Sequence, residues 1–239
     1  MHRAILLASL FLLGSLASPA CARHAASAET TVVMTRAAQA AMTPAQALAR
    51  LQDGNARFLR GSALQRDLRA QAAVTAAGQF PFAAIVSCID SRTSSELLFD
   101  QGLGDIFNVR IAGNIVDTDV LGSLEFACKA AGSRLILVVG HSSCGAVKGA
   151  IDHVELGHLT ELLQHLEPAV AEVAPRFPQR TSKDHELVDA TAMANVRQSM
   201  KQIREQSPLL REMLDKGEIG LAGAMIDLAT GRATFVADQ

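Results

Sequence analysis

Leu135-Ile136-Leu137-Val138-Val139 is a run of consecutive aliphatic residues, preceded by Arg134, closed by Gly140 and followed at once by His141. A strand built from it is apolar on both faces, because successive side chains point to opposite sides of a sheet. Burying both faces requires helices above and below, the usual setting of a parallel sheet in an α/β protein. Ala83-Ala84-Ile85-Val86-Ser87-Cys88 suits a second buried strand, entered from the break at Gln79-Phe80-Pro81-Phe82. Ile106–Arg110 predicts another strand after Gly102 and Gly104, and 219–227 a last buried one. Thr230-Gly231-Arg232 then turns the chain into 233–236, an edge strand.

Helical patterns alternate with these runs. Thr43-Pro44-Ala45-Gln46 combines an N-cap residue, proline at the first helical position and Gln at the third, a capping box. Leu48, Leu51, Phe58 and Leu59 give the helix its apolar stripe, and Gly61 stops it. A weaker stretch covers 64–77, and 95–99 reads as a helical turn. The segment 117–131 makes a good helix, acidic at its start, with Val120, Leu121, Leu124 and Ala127 facing inward and Gly132 at its end. Beyond Ile151 the pattern is helical over 159–166 and 186–206, with a last piece opened by Ser207-Pro208. The expected architecture is α/β: a central, mostly parallel sheet flanked by helices, with an antiparallel edge strand and an N-terminal helical arm.

Residues 1–22 read as a signal peptide. His2 and Arg3 give a weakly positive start, 4–16 are almost unbroken apolar, and Ala20-Cys21-Ala22 fits a small-residue cleavage site before Arg23. The apolar run is short of the roughly twenty residues that span a bilayer, so no span is expected in the mature chain. Periplasmic or secreted location follows. Organellar import is the weaker alternative, permitted by the scarcity of acids before Glu29, and lipid attachment at Cys21 is disfavoured by Ser18. Residues 23–42 read as a linker or arm, and 43–239 as one domain.

The chain of 239 residues is 49% hydrophobic and 19% charged, a globular composition, and its formal charge of −2 leaves no basic footprint for nucleic acid. Removing Cys21 with the signal leaves Cys88, Cys128 and Cys144. A disulfide between two of them is one reading. The odd number and the neighbouring His and Asp residues favour another.

Cys88-Ile89-Asp90-Ser91-Arg92 closes one strand, and His141-Ser142-Ser143-Cys144 follows a second. Sites in parallel sheets gather at the carboxyl ends of strands, so the two motifs converge if those strands are adjacent. Cys88, His141 and Cys144 supply sulfur and nitrogen ligands for tetrahedral zinc, one ion per chain. Asp90 is either the fourth ligand, closing a structural site, or a carboxylate that Arg92 draws away with paired hydrogen bonds. Two thiolates already neutralise Zn²⁺ and weaken it as a Lewis acid, so water on such a zinc would ionise under mildly alkaline conditions, with Asp90 recapturing the metal at lower pH.

Cys-x-Asp-x-Arg followed by His-x-x-Cys resembles the β-class carbonic anhydrase family, and the likeness runs from Thr43 nearly to the end, including strand order and the loop containing Asn114. The resemblance implies reversible hydration of carbon dioxide to bicarbonate and a proton by zinc-bound hydroxide, with Asp90 and Arg92 as the gating dyad. It further implies that Gln79 hydrogen-bonds substrate, that Phe107 lines an apolar pocket, and that homodimers or homotetramers form with N-terminal helices embracing the partner. Other outcomes on the same residues are hydrolysis of carbon disulfide or carbonyl sulfide, or a zinc-binding protein without activity. Ile111 stands where relatives carry a polar residue, and Phe126 where they carry Tyr. The chain has no Trp or Tyr, so an inhibitory bicarbonate site built from them is not expected.

Several polar residues have plainer readings. Cys128 is expected to be a small buried hydrophobe, and His153, His158, His165 and His185 to face solvent. Asp117 and Asp119 are helix N-terminal charges. Gly140 and Gly145 permit close backbone approach, with the Gly145 amide a candidate anion contact.

Overall fold

The computed structural model describes residues 32–237, so the expected signal segment 1–22 and residues 23–31 of the expected arm lie outside the described residues. In chain order the helices α1 (Arg36–Ala41), α2 (Pro44–Leu59) and α3 (Leu68–Thr75) lead into β1 (Ala83–Ser87). Then come α4 (Ser95–Leu98), β2 (Ile106–Arg110), α5 (Thr118–Glu125) and β3 (Leu135–His141). The helices α6 (Gly145–Ile151), α7 (Gly157–Gln164), α8 (Glu167–Val173), α9 (His185–Gln206) and α10 (Pro208–Asp215) precede β4 (Gly220–Ile226) and β5 (Ala233–Ala237).

Among the described residues the strands form one sheet in the order β2-β1-β3-β4-β5, parallel throughout except for the antiparallel β4–β5 pair. Every residue of β1 and β3 is buried, as their aliphatic runs require. Alternation divides their side chains between two cores. Ala84, Val86, Ile136 and Val138 meet Leu124 of α5, Met200 of α9 and Leu210 of α10. Ala83, Ile85, Leu135 and Leu137 meet Leu51 of α2, Leu98 of α4 and Phe99. A third cluster packs α6, α8 and α9 around Cys88 and Cys144. The described residues contain no helix long and apolar enough to cross a membrane.

The capping box of α2 forms with both of its bonds, Gln46 N–H to Thr43 Oγ1 at 3.2 Å and Thr43 N–H to Gln46 Oε1 at 2.9 Å. Part of the segment expected as a linker or arm is the helix α1, where the Gln39 amide donates to the carbonyls of Pro81 and Ala131 at 2.7 and 2.8 Å, tying α1 to the entrance of β1. The weak helix expected over 64–77 is confined to α3, because the Asp67 carboxylate caps its start by accepting from Ala70 N–H at 2.8 Å. The 117–131 pattern is α5 followed by a π-helical turn, Phe126–Ala130. α8 is an addition to the expected elements, opening with Pro168 in its first turn, where a missing N–H costs nothing.

Two glycines let α9 lie close behind β3 and β4. A Cβ on Gly140 would stand 2.7 Å from Val196 Cγ2 and from Met225 Sδ, and one on Gly223 2.6 Å from Val196 Cγ1. Val196 of α9 therefore seats directly over both strands, which brings the amino-terminal half of α9 under the carboxyl ends where the motifs lie.

Candidate metal centre

The register of β1 on β3 pairs Ser87 with Val139, so Cys88, one residue on, reaches the level of Gly140 beside His141. Cys144 returns to the same point after a short turn and begins α6 as its N-cap. The ligand-type atoms of Cys88, His141 and Cys144 lie within 4.8 Å of one another, and all of these residues are buried. His141 Nδ1 lies 2.9 Å from the Ser142 carbonyl, which fixes a proton there and turns Nε2 towards the sulfurs. Nε2 is buried without a hydrogen-bond partner. A buried, orphaned imidazole nitrogen in a cluster with two sulfurs is what a Cys₂His zinc site requires, so the residues fit the metal.

The two thiols shift each other in opposite directions. Contact with the Cys144 thiol, followed by His141 and the Gly113 amide, brings Cys88 down to about 4 against the effect of burial. The same contact, with burial, pushes Cys144 up. Burial works against a charged His141, and the Cys88 thiolate outweighs it, raising the imidazole above its ordinary 6.5. A divalent cation would displace these protons and take their place as counter-charge.

Asp90 faces the other way. Arg92 grips its carboxylate with Nε at 2.9 Å and Nη2 at 2.7 Å, and the Arg92 backbone N–H adds a bond at 3.0 Å. Arg92 is the main cause that holds the Asp90 carboxyl well below the usual carboxylate range. The Asp90 carboxylate does not join the three-residue cluster, which leaves a fourth tetrahedral direction without a protein ligand among the described residues.

Residues 83–233 match the carbonic anhydrase family profile. A carbonic anhydrase of Mycolicibacterium smegmatis is 36% identical over 191 residues, spanning 79% of this chain and 91% of that protein. Carbonic anhydrase 2 of Mycobacterium tuberculosis is 36% identical over 193 residues, 80% of this chain and 92% of its own length. The chain belongs to the β-class carbonic anhydrase family. Among solved structures, a tetrameric β-carbonic anhydrase from Sordaria macrospora superposes with a TM-score of 0.63 at 26% identity, over 69% of this chain and 84% of that one. The β-carbonic anhydrase CcaA also gives 0.63, at 25% identity, over 80% and 92%.

Within this carbonic anhydrase chain the other expected site residues are spread out. Gly145 is the exposed first residue of α6, with open space where a Cβ would project. Phe107 of β2 is half-buried and packs edge-on to Phe126 at 6.1 Å, lining an open groove of about 800 Å³ with Val109 and Arg110. Gln79 is exposed ahead of β1, beside Thr75 and Gly104, at the end of the strand opposite Cys88. Ile111 is partly buried between two apolar clusters. Cys128 is buried, and burial lifts its thiol to about 12, the behaviour of an inert filler. His153, His158, His165 and His185 are exposed, Asp117 caps α5 by accepting from Val120 N–H at 2.8 Å, and Cys88, Cys128 and Cys144 are free thiols.

The structure adds residues that sequence reasoning passed over. Arg110, at the end of β2, donates from Nε to the Cys88 carbonyl at 3.0 Å and from Nη2 to the Asp90 carbonyl at 2.6 Å. Thr93 Oγ1 donates to the Asp90 carbonyl at 2.9 Å, and Gly113 N–H to Cys88 Sγ at 3.4 Å. Asn195 of α9 holds the Gly113 carbonyl at 2.7 Å. Arg110 had a readable signal, a charge at the carboxyl end of a strand. So did Thr191, Asn195 and Ser199, polar residues four apart on the buried face of a helix.

Proposed function

We propose that this protein catalyses the reversible hydration of carbon dioxide to bicarbonate and a proton, using one zinc ion per chain held by Cys88, His141 and Cys144. The observation that carries the reading is the buried, partnerless His141 Nε2 in the cluster with the two cysteine sulfurs, with Asp90 turned aside to Arg92. When bound, zinc would supply the Lewis acidity that makes a nucleophile of water under mildly alkaline conditions. Arg92 keeps the Asp90 carboxylate off the metal and so leaves room for water. Arg110 and Thr93 fix the backbone on either side of Asp90 so that the carboxylate can be placed at all.

The finer parts of the reading extend it. Residues 1–22 direct export and are removed, giving a periplasmic or secreted enzyme. The chain assembles as a homodimer or homotetramer; the tetrameric Sordaria relative and the edge of β2, unpaired among the described residues, support this. In such an assembly Gln79 and Phe107 reach substrate in the partner's pocket, and the Gly145 amide faces bound bicarbonate.

The test is stopped-flow CO₂ hydration at mildly alkaline pH with metal analysis, on the purified protein and on Cys88→Ser. Zinc near one per chain with hydration activity, both lost in Cys88→Ser, is the expected result. Zinc without hydration would overturn the reading in favour of a structural site, and turnover of carbon disulfide alone would overturn the choice of substrate.

A further inference from the structure

The His141–Cys144 turn is fixed from two sides. On the β4 side, Ser142 N–H donates to the Ile226 carbonyl at 2.9 Å, and Ser142 Oγ accepts from Leu228 N–H at 3.0 Å. Those bonds settle Ser142, and they leave the next residue to decide where Cys144 goes. Ser143 adopts φ 55, the left-handed region that a residue with a Cβ occupies at a cost. Its N–H donates to Asp189 Oδ1 of α9 at 2.8 Å, a bond between residues 46 positions apart in the chain. If Ser143 relaxed to an ordinary right-handed or extended conformation, Cys144 and the start of α6 would swing away from His141.

α9 treats the other metal-side turn in a similar way. Asn195 holds the carbonyl of Gly113, and Ser199 donates to that of Asn114 at 3.2 Å, both residues having positive φ, while Gly113 N–H points to Cys88 Sγ. One helix thus braces both the turn that presents Cys144 and the turn whose Gly113 amide reaches Cys88, and at Ser143 the brace meets a non-glycine left-handed residue within the His141–Cys144 turn itself.

We propose that Asp189 is a positioning residue: by accepting the Ser143 amide, its carboxylate holds the left-handed turn that aims His141 and Cys144 at a single zinc ion. The inference rests on Cys88, His141 and Cys144 being the zinc ligands. It concerns geometry, so an amide oxygen in the same place does the same work as the carboxylate. A glycine at Ser143, which takes positive φ without penalty, lessens the need for the brace.

The experiment follows zinc release from the holoenzyme into an excess of a colorimetric chelator, alongside the urea midpoint of each variant. Asp189→Leu removes the acceptor at similar volume, and its zinc release is expected to quicken by about 10- to 100-fold, the range for lost partners around a metal site. Asp189→Asn should release zinc near the wild-type rate, and Ser143→Gly placed in the Asp189→Leu background should recover a large part of the loss while the urea midpoint stays where Asp189→Leu put it. Wild-type release in Asp189→Leu would overturn the proposal. So would equally fast release in Asp189→Asn, or a double variant that recovers nothing and tracks the urea midpoint alone. A wild-type protein that binds no zinc would overturn the ligand assignment itself, whereas normal zinc loading with unchanged release in Asp189→Leu removes only the role of Asp189.

Discussion

Arg92 grips Asp90 through two guanidinium nitrogens, a pairing that fixes both the position and the rotation of a carboxylate. Arg92→Ala should therefore keep zinc and lose rate, because a released Asp90 competes for the fourth position; a fall in kcat/KM for CO₂ of about 100-fold is expected in stopped-flow assays. Asp90→Asn should also keep zinc and lose the fall in rate on the acid side; loss of metal would show Asp90 to be a ligand. Arg92 holds the Asp90 carboxyl well below the usual carboxylate range, so the fall in rate on the acid side is expected to come from Asp90 leaving Arg92 for the metal and not from Asp90 taking up a proton. Far from the site, Asp100 is buried between Arg57 and Arg66, which together outweigh burial and hold its carboxyl below the ordinary 3.8. A depressed carboxyl contributes stability that is complete above its ordinary value and lost as pH falls through the folded one. Acid unfolding followed by circular dichroism should thus steepen below about pH 4, and Asp100→Asn should be less stable at neutral pH with a flatter acid limb. At this scale the Cys88-His141-Cys144 cluster was legible because Cys and His at strand ends have few other uses. Asp189 was not, because its bond to Ser143 joins residues 46 positions apart.

The elements follow from local patterns wherever those patterns are strong. The aliphatic run of β3, the capping box of α2 and the turn before β5 each predict what is observed. α8 escaped notice because it is short, whereas α1 lies in the expected N-terminal arm and is held by tertiary bonds from Gln39 rather than by any periodicity of its own. α9 carries the greatest structural demand, since its seat over β3 and β4 depends on the absence of side chains at Gly140 and Gly223. Gly140→Ala would press a methyl group into Val196 and Met225, and a loss of about 1–3 kcal/mol is expected in urea unfolding. Because α9 also braces the metal-side turns, that variant should release zinc faster than one of equal instability placed at the capping box, such as Thr43→Ala.

For the molecule as a whole, the strand order matters more than any single bond. Placing β1 beside β3 in parallel sends both motifs to one edge of the sheet, a convergence that the sequence permitted without requiring. The sequence left the position of Asp90 open, because gripping Arg92 and joining the metal are both within its reach; the structure turns it to Arg92. A zinc ion that binds the folded protein and not the unfolded chain adds stability by mass action, so chelation should lower Tm. The direct test of the three-ligand site is a titration of the metal-stripped protein with zinc, following CO₂ hydration. Activity that rises in proportion to added zinc and levels off at one ion per chain, with no rise in Cys88→Ser, is the expected result; a protein that takes up one zinc and stays inactive towards CO₂ would contradict it.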